Sequence, residues 1–146
     1  MKKFDFRLES VLRWKESTLR QKEAELQRAI YVCGRLQRSL EALHEERNRT
    51  ESEFRAAKAM LGRDAQQMSE YGDSFVVREH RLRADIEAAG RRAEEARMAY
   101  LEAKRNVKLL SILKAKALET WQVELWKDTE QMAGENYLSS WVRRGE

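Results

Sequence analysis

The sequence predicts an all-α protein, a long antiparallel two-helix coiled-coil hairpin, and three observations carry that reading. An apolar 4-3 repeat holds one phase for more than fifty residues, a second repeat of the same kind follows it, and the chain contains no proline. A stripe that recurs every ~3.5 residues is the seam of a left-handed coiled coil, because slight supercoiling absorbs the drift of a straight helix. Charged residues make up 37% of the chain, a composition of long solvated helices rather than of a globular core.

The first stripe runs Leu8, Leu12, Lys15, Leu19, Lys22, Leu26, Ala29, Cys33, Leu36, Leu40, Leu43, Arg47, Thr50, Phe54, Ala57, Leu61. Only Lys15, Lys22, Arg47 and Thr50 interrupt it, which predicts a first helix over about 4–62. Next comes a polar link, 63–73, containing Gly72 and Asp73 and bordered by Gly62 and Ser74. Glycine ends helices, and an Asp or Ser oxygen caps the next one by accepting from orphan backbone N–H groups. The second stripe then runs Phe75, Glu79, Leu82, Ile86, Ala89, Ala93, Ala96, Tyr100, Ala103, Val107, Leu110, Lys114, Ala117, Trp121. It predicts a second helix over about 74–132 and a C-terminal tail over 133–146, all in one domain. With the turn near residues 66 to 72, Phe54 falls near Ile86 and Leu40 near Tyr100.

A two-helix hairpin has a seam but no interior, so a deep catalytic pocket is physically difficult. The sequence has no Gly-rich phosphate loop, no zinc-type Cys/His spacing and no nucleophile elbow. It therefore reads as a non-enzyme with no cofactor and no metal. His44 and His80 are ordinary helix residues that a turn near residue 69 keeps apart. The net charge of +4 is spread thinly, with fourteen basic and ten acidic side chains among residues 1–60. Interleaved Lys, Arg and Glu are the solvated face of a coiled coil, and no concentrated basic helix points to nucleic acid. No segment approaches the ~20 apolar residues of a membrane span, and no signal peptide is visible. The single cysteine, Cys33, lies on the seam, so a cytoplasmic location is expected.

Both ends of such a hairpin carry large apolar groups. Trp121, Trp126 and Trp141, with Leu125, Met132 and Tyr137, load the end that bears the termini. Lys15 and Lys22 hold core-type positions there, either snorkelling outward on their aliphatic stems or facing a partner. Met68, Tyr71, Phe75, Val76 and Val77 cluster at the turn. A soluble rod with an apolar patch at each end suits a mechanical coupler.

The opening Phe4-Asp5-Phe6-Arg7-Leu8-Glu9-Ser10-Val11-Leu12-Arg13-Trp14-Lys15-Glu16 resembles the start of the FliJ family of flagellar export proteins. That family opens with Phe-x-Phe, a basic residue, apolar heptad positions and Lys-Glu. The stretch from Tyr100 to Leu110, with Lys104 and Lys108 punctuating a Val/Leu seam, is similar to its second helix. Tyr71 and Phe75 resemble its Tyr-x-x-Phe element with one extra residue between them. The C-terminal Glu130-Gln131-Met132-Ala133-Gly134-Glu135-Asn136 keeps only part of the family's Glu-Gln-Lys-x-x-Asp-Glu run, with Trp141 as the following aromatic.

The resemblance implies a stalk-like coiled coil whose termini-bearing end enters the hexameric flagellar export ATPase (FliI-like) and promotes its assembly and activity. It implies Phe4, Phe6, Arg7, Leu8, Arg13, Lys15, Trp121, Trp126 and Trp141 on the ATPase side. Tyr71, Phe75, Val76 and Leu82 would face the export gate protein (FlhA-like). Export chaperones are further partners, and membrane association arises only through the gate, at the cytoplasmic face of the inner membrane. The related injectisome stalks share this architecture. From the residues alone, a holdase chaperone and a self-associating structural coiled coil remain as alternatives, and the seam register does not separate an intramolecular hairpin from a swapped dimer.

Overall fold

The computed structural model describes residues 2–57 and 62–145, with side chains from residue 65 onward in the second segment. Two helices account for nearly all of it, α1 (Glu9–Ala56) and α2 (Gly62–Arg144). They pack against each other as an all-α antiparallel hairpin, with no strand among the described residues. The described positions of both stripes from Leu8 to Phe54 and from Phe75 to Trp121 are buried or half-buried. The heptad pattern therefore places the seam residue by residue, because only a face that meets a second helix loses its water. Ala57 is exposed, and Leu61, the last position of the first stripe, lies outside the described residues.

Contacts divide the chain into two compact units. One comprises residues 1–20 with 102–146, and the other residues 21–101. In the second unit the cross-helix partners include His44 with Glu79, Arg47 with Phe75, Thr50 with Tyr71, and Glu46 with Tyr71 and Arg78. In the first unit they are Glu9 with Lys114 and Phe4 with Trp121.

Two boundaries differ from the sequence reading. The segment 63–73 is not a link: α2 already starts at Gly62, so Gly62 opens a helix instead of closing one, and Gly72, Asp73 and Ser74 lie inside it. Phe54 accordingly shares a cleft with Met68, Tyr71, Gly72 and Phe75 rather than meeting Ile86. The reason is energetic competition. An interior glycine costs a helix about 1 kcal/mol, whereas Met68 and Tyr71, two turns and one turn before Phe75, share a cleft with the α1 side chains of Arg47, Thr50 and Phe54. Both are half-buried, and with full burial of a large apolar group at about 1.5–3 kcal/mol, their partial covering together offsets that cost.

The expected C-terminal tail is also helical, because α2 continues to Arg144. No proline stops it, and Ser139 and Ser140 direct their hydroxyls to the carbonyls of Asn136 and Tyr137. Its side chains have no α1 surface to cover. Every described residue after Leu125 is exposed.

Candidate docking surfaces

In the unit that holds the termini, residues 2–8 precede the first helical residue. The Glu9 N–H donates to the Phe6 carbonyl at 3.0 Å and the Leu12 N–H to Leu8 at 2.8 Å, so the Phe-x-Phe segment leads directly into α1. Phe4 is half-buried and meets Trp121 edge-on, with ring centroids 5.8 Å apart and planes at 60°. That arrangement places the positive ring edge on the negative face. Trp121 is thus a seam residue that ties down the N-terminus. Phe6 and Leu8 are half-buried, while Arg7 and Arg13 are exposed.

Glu9 anchors this unit electrostatically. Its Oε2 is closed off from solvent and lies 2.8 Å from the Lys114 Nζ. Arg13 approaches the same carboxylate at 3.5 Å. The Lys114 bond first, and then the charges of Lys114 and Arg13, hold the Glu9 carboxyl below its ordinary value against partial desolvation. Lys114, one of two polar interruptions of the second stripe, therefore has a structural assignment. Lys15 and Lys22 turn their ammonium groups to their own helix, Lys15 lying 4.8 Å from the Trp14 ring centre and Lys22 3.4 Å from Glu25. Both are half-buried, with their aliphatic stems along the seam.

Beyond the seam the three tryptophans part company. Trp126 is 70% exposed and Trp141 68%, alongside Met132, Tyr137, Leu138 and Val142, all exposed. A shallow groove bounded by Lys2, Trp121, Leu125, Asp128 and Met132 marks where the pairing ends. A solvated helix rarely presents so many large apolar side chains without a partner.

The other unit carries the residues expected to face a gate. Phe75 is only 1% exposed, packing inward as the first position of the second stripe. The Arg47 guanidinium covers its ring at 4.6 Å and the His44 ring lies 6.2 Å away. Tyr71 and Leu82 are half-buried. The Tyr71 hydroxyl donates to Glu46 at 3.3 Å and accepts from Thr50 at 3.4 Å. Val76 and Val77 point outward, 56% and 60% exposed.

A pair of carboxylates fixes the register here. Glu46 receives Tyr71 and, at 3.3 Å, Arg78. Glu79 receives Arg83 at 2.9 Å and His44 at 3.1 Å. The Arg83 bond, followed by that of His44, lowers the Glu79 carboxyl from its ordinary value. His44 thus has a cross-helix partner immediately beside His80, in a register that a turn near residue 69 does not allow. Sequence reasoning missed these ties, although Met68, in phase with Phe75, and Tyr71, one turn before it, mark an apolar face that continues through the expected link. Among the described residues no His/Cys/Asp/Glu group could hold a metal, and no helix is long and apolar enough to cross a membrane.

Two long paired helices with a run of exposed apolar side chains beyond the seam define a helical coiled-coil protein. Comparison with protein families makes this specific: the family of the flagellar FliJ protein matches residues 3–146. The chain belongs to the FliJ family and is a component of the flagellar export apparatus. That family is a non-catalytic part of the machinery. Comparison with the curated proteins and with the solved structures gives no match.

Proposed function

We propose that this chain is the stalk-like coiled coil of the export apparatus, inserting its termini-bearing unit into the hexameric export ATPase and promoting ring assembly and turnover. The observation that supports this reading most is the run of exposed aromatic and apolar side chains from Trp126 to Val142, on helix that α1 leaves uncovered. In this reading Trp126 and Trp141, with exposed Arg7 and Arg13, meet the ATPase. Phe4, Phe6, Leu8 and Trp121 act from beneath by fixing the N-terminal segment, and Lys15 contributes charge at the same end. The other unit contacts the export gate through Val76 and Val77. Tyr71, Phe75 and Leu82 shape that surface from the seam, and export chaperones bind along the same protein. Peripheral placement at the cytoplasmic face of the inner membrane follows from the gate contact. Coupling requires only that the stalk bind differently to different states of the ring.

Native mass measurement of the ATPase mixed with this chain tests the reading. One copy per hexamer is expected, with loss of the complex on charge reversal at Arg7 and Arg13. Separate migration of the wild-type chain and the ATPase under conditions that support the hexamer would refute it.

A further inference from the structure

Opposite the seam, α2 carries another stripe, turned entirely to solvent. Arg105, Leu109, Ile112, Lys116, Glu119, Val123, Trp126 and Glu130 follow one another at alternating steps of four and three, and all of them are exposed. At ~100° per residue they share one arc of about 100°, on the far side of the helix from Val107, Leu110, Lys114, Ala117 and Trp121. A 4-3 spacing is the surface that a second α-helix reads. Because α1 lies on the seam side, the helix that meets this stripe is not α1.

The order of residue types says which helix fits. Along the stripe they run basic, apolar, apolar, basic, then acidic, apolar, apolar, acidic, a pattern complementary to itself read backward. We infer that this stripe pairs antiparallel with the same stripe of a second copy of the chain. With the dyad between Ala117 and Leu118, Arg105 faces the partner's Glu130 and Lys116 faces the partner's Glu119. Leu109 then faces the partner's Trp126, and Ile112 the partner's Val123, so every charge on the stripe meets its opposite and every apolar group meets another. Parallel pairing would instead set Arg105 on Arg105 and Glu130 on Glu130. Lys108 and Lys127 border the stripe on its two different sides, so the dyad does not bring them together.

The charges themselves are available for this. Arg105, Lys116, Glu119 and Glu130 have no ion pair or side-chain hydrogen bond among the described residues, whereas Arg83, Arg91 and Arg97 of the same helix each pair with a glutamate about one turn away. Lys116 and Glu119 stand three residues apart and still do not pair with each other. The four charges sum to zero, which disfavours an anionic lipid surface as the occupant. Four apolar side chains per copy, spread over ~38 Å of helix, make a small interface, below about 1,200 Å² in total, of the class that forms concentration-dependent complexes. Trp126 also belongs to the surface proposed above for the ATPase, so self-pairing and that contact exclude each other.

Sedimentation equilibrium of the full chain over a wide concentration range is the test, with helicity checked for each variant. The wild type should dimerise reversibly. Arg105→Glu with Lys116→Glu makes all four stripe charges acidic, and Glu119→Lys with Glu130→Arg makes them all basic. Each double variant should weaken self-association at least tenfold, since four ion pairs per dimer become repulsions. An equimolar mixture of the two variants should dimerise as the wild type does, because opposite charges face each other again in the mixed pair. A wild-type chain monomeric throughout the range would overturn the inference, as would a dimer indifferent to the substitutions or a mixture that stays monomeric. Flotation of the monomeric wild type with anionic vesicles would overturn it in favour of a lipid surface. None of these readouts involves the ATPase, so failure of the inference and failure of the stalk reading are distinguishable.

Discussion

Phe75→Ala separates the observed register from the alternative in which the chain reverses near residue 69. Phe75 is 1% exposed and lies beneath Arg47 and beside His44. Truncating a buried phenylalanine costs about 3–5 kcal/mol. A two-helix seam lets neighbours and water fill part of the space, so the expected loss is near the low end, about 3 kcal/mol. The lost cation–π contact with Arg47, about 0.5–1 kcal/mol at a partly exposed site, is included in that figure. Val76→Ala, one residue on and 56% exposed, should change stability by no more than about 0.5 kcal/mol. Long helix pairs open locally as well as globally, so amide hydrogen exchange across residues 65–85 should accompany urea unfolding. Faster exchange there in Phe75→Ala, and little change in Val76→Ala, is the expected result. Similar effects of both substitutions would refute the packing, since a Phe75 beside a turn at residue 69 has no enclosed position to lose.

The remaining predictions follow from the same geometry. In a Cys33→Ser background, a flexible bismaleimide should link Thr50→Cys to Tyr71→Cys within one chain, whereas Phe54→Cys with Ile86→Cys should not be linked; electrophoresis reads the difference. The lowered Glu9 and Glu79 carboxyls contribute stability that is present above the ordinary value of 4.5 and lost as pH falls through their lowered folded values. Melting temperature should therefore drop on acidification below pH 4.5, and Glu9→Gln should make that drop shallower. Removing residues 126–146 should leave the melting of the paired helices nearly unchanged, because the described side chains there are exposed, while abolishing association with the ATPase.

The seam was legible in the sequence because burial at one helix face follows directly from where apolar residues recur. Leu12, Leu43, Ala89 and Ala103, all buried, were placed by spacing alone. The turn was harder to place. Gly72, Asp73 and Ser74 form a local stop signal, yet the covering of Tyr71 and Phe75 by α1 residues outweighs it, and that balance depends on contacts between distant residues. Lys114 looked like a flaw in the stripe until Glu9 appeared beside it, since a charge at a seam position is explained only by its partner across the seam. The aromatic C-terminal end was evident in composition. That its seam stops at Leu125, and that another stripe on the same helix faces solvent, could be seen only once the register showed which side α1 covers.

The stalk reading is tested most directly by ATP turnover of the flagellar export ATPase with and without this chain, at matched concentrations of both. Turnover should rise with the wild-type chain and stay at its basal rate with Trp126→Ala plus Trp141→Ala, two exposed positions whose loss leaves the seam intact. Unchanged turnover with the folded wild-type chain, across concentrations at which the ATPase forms its hexamer, would contradict the account.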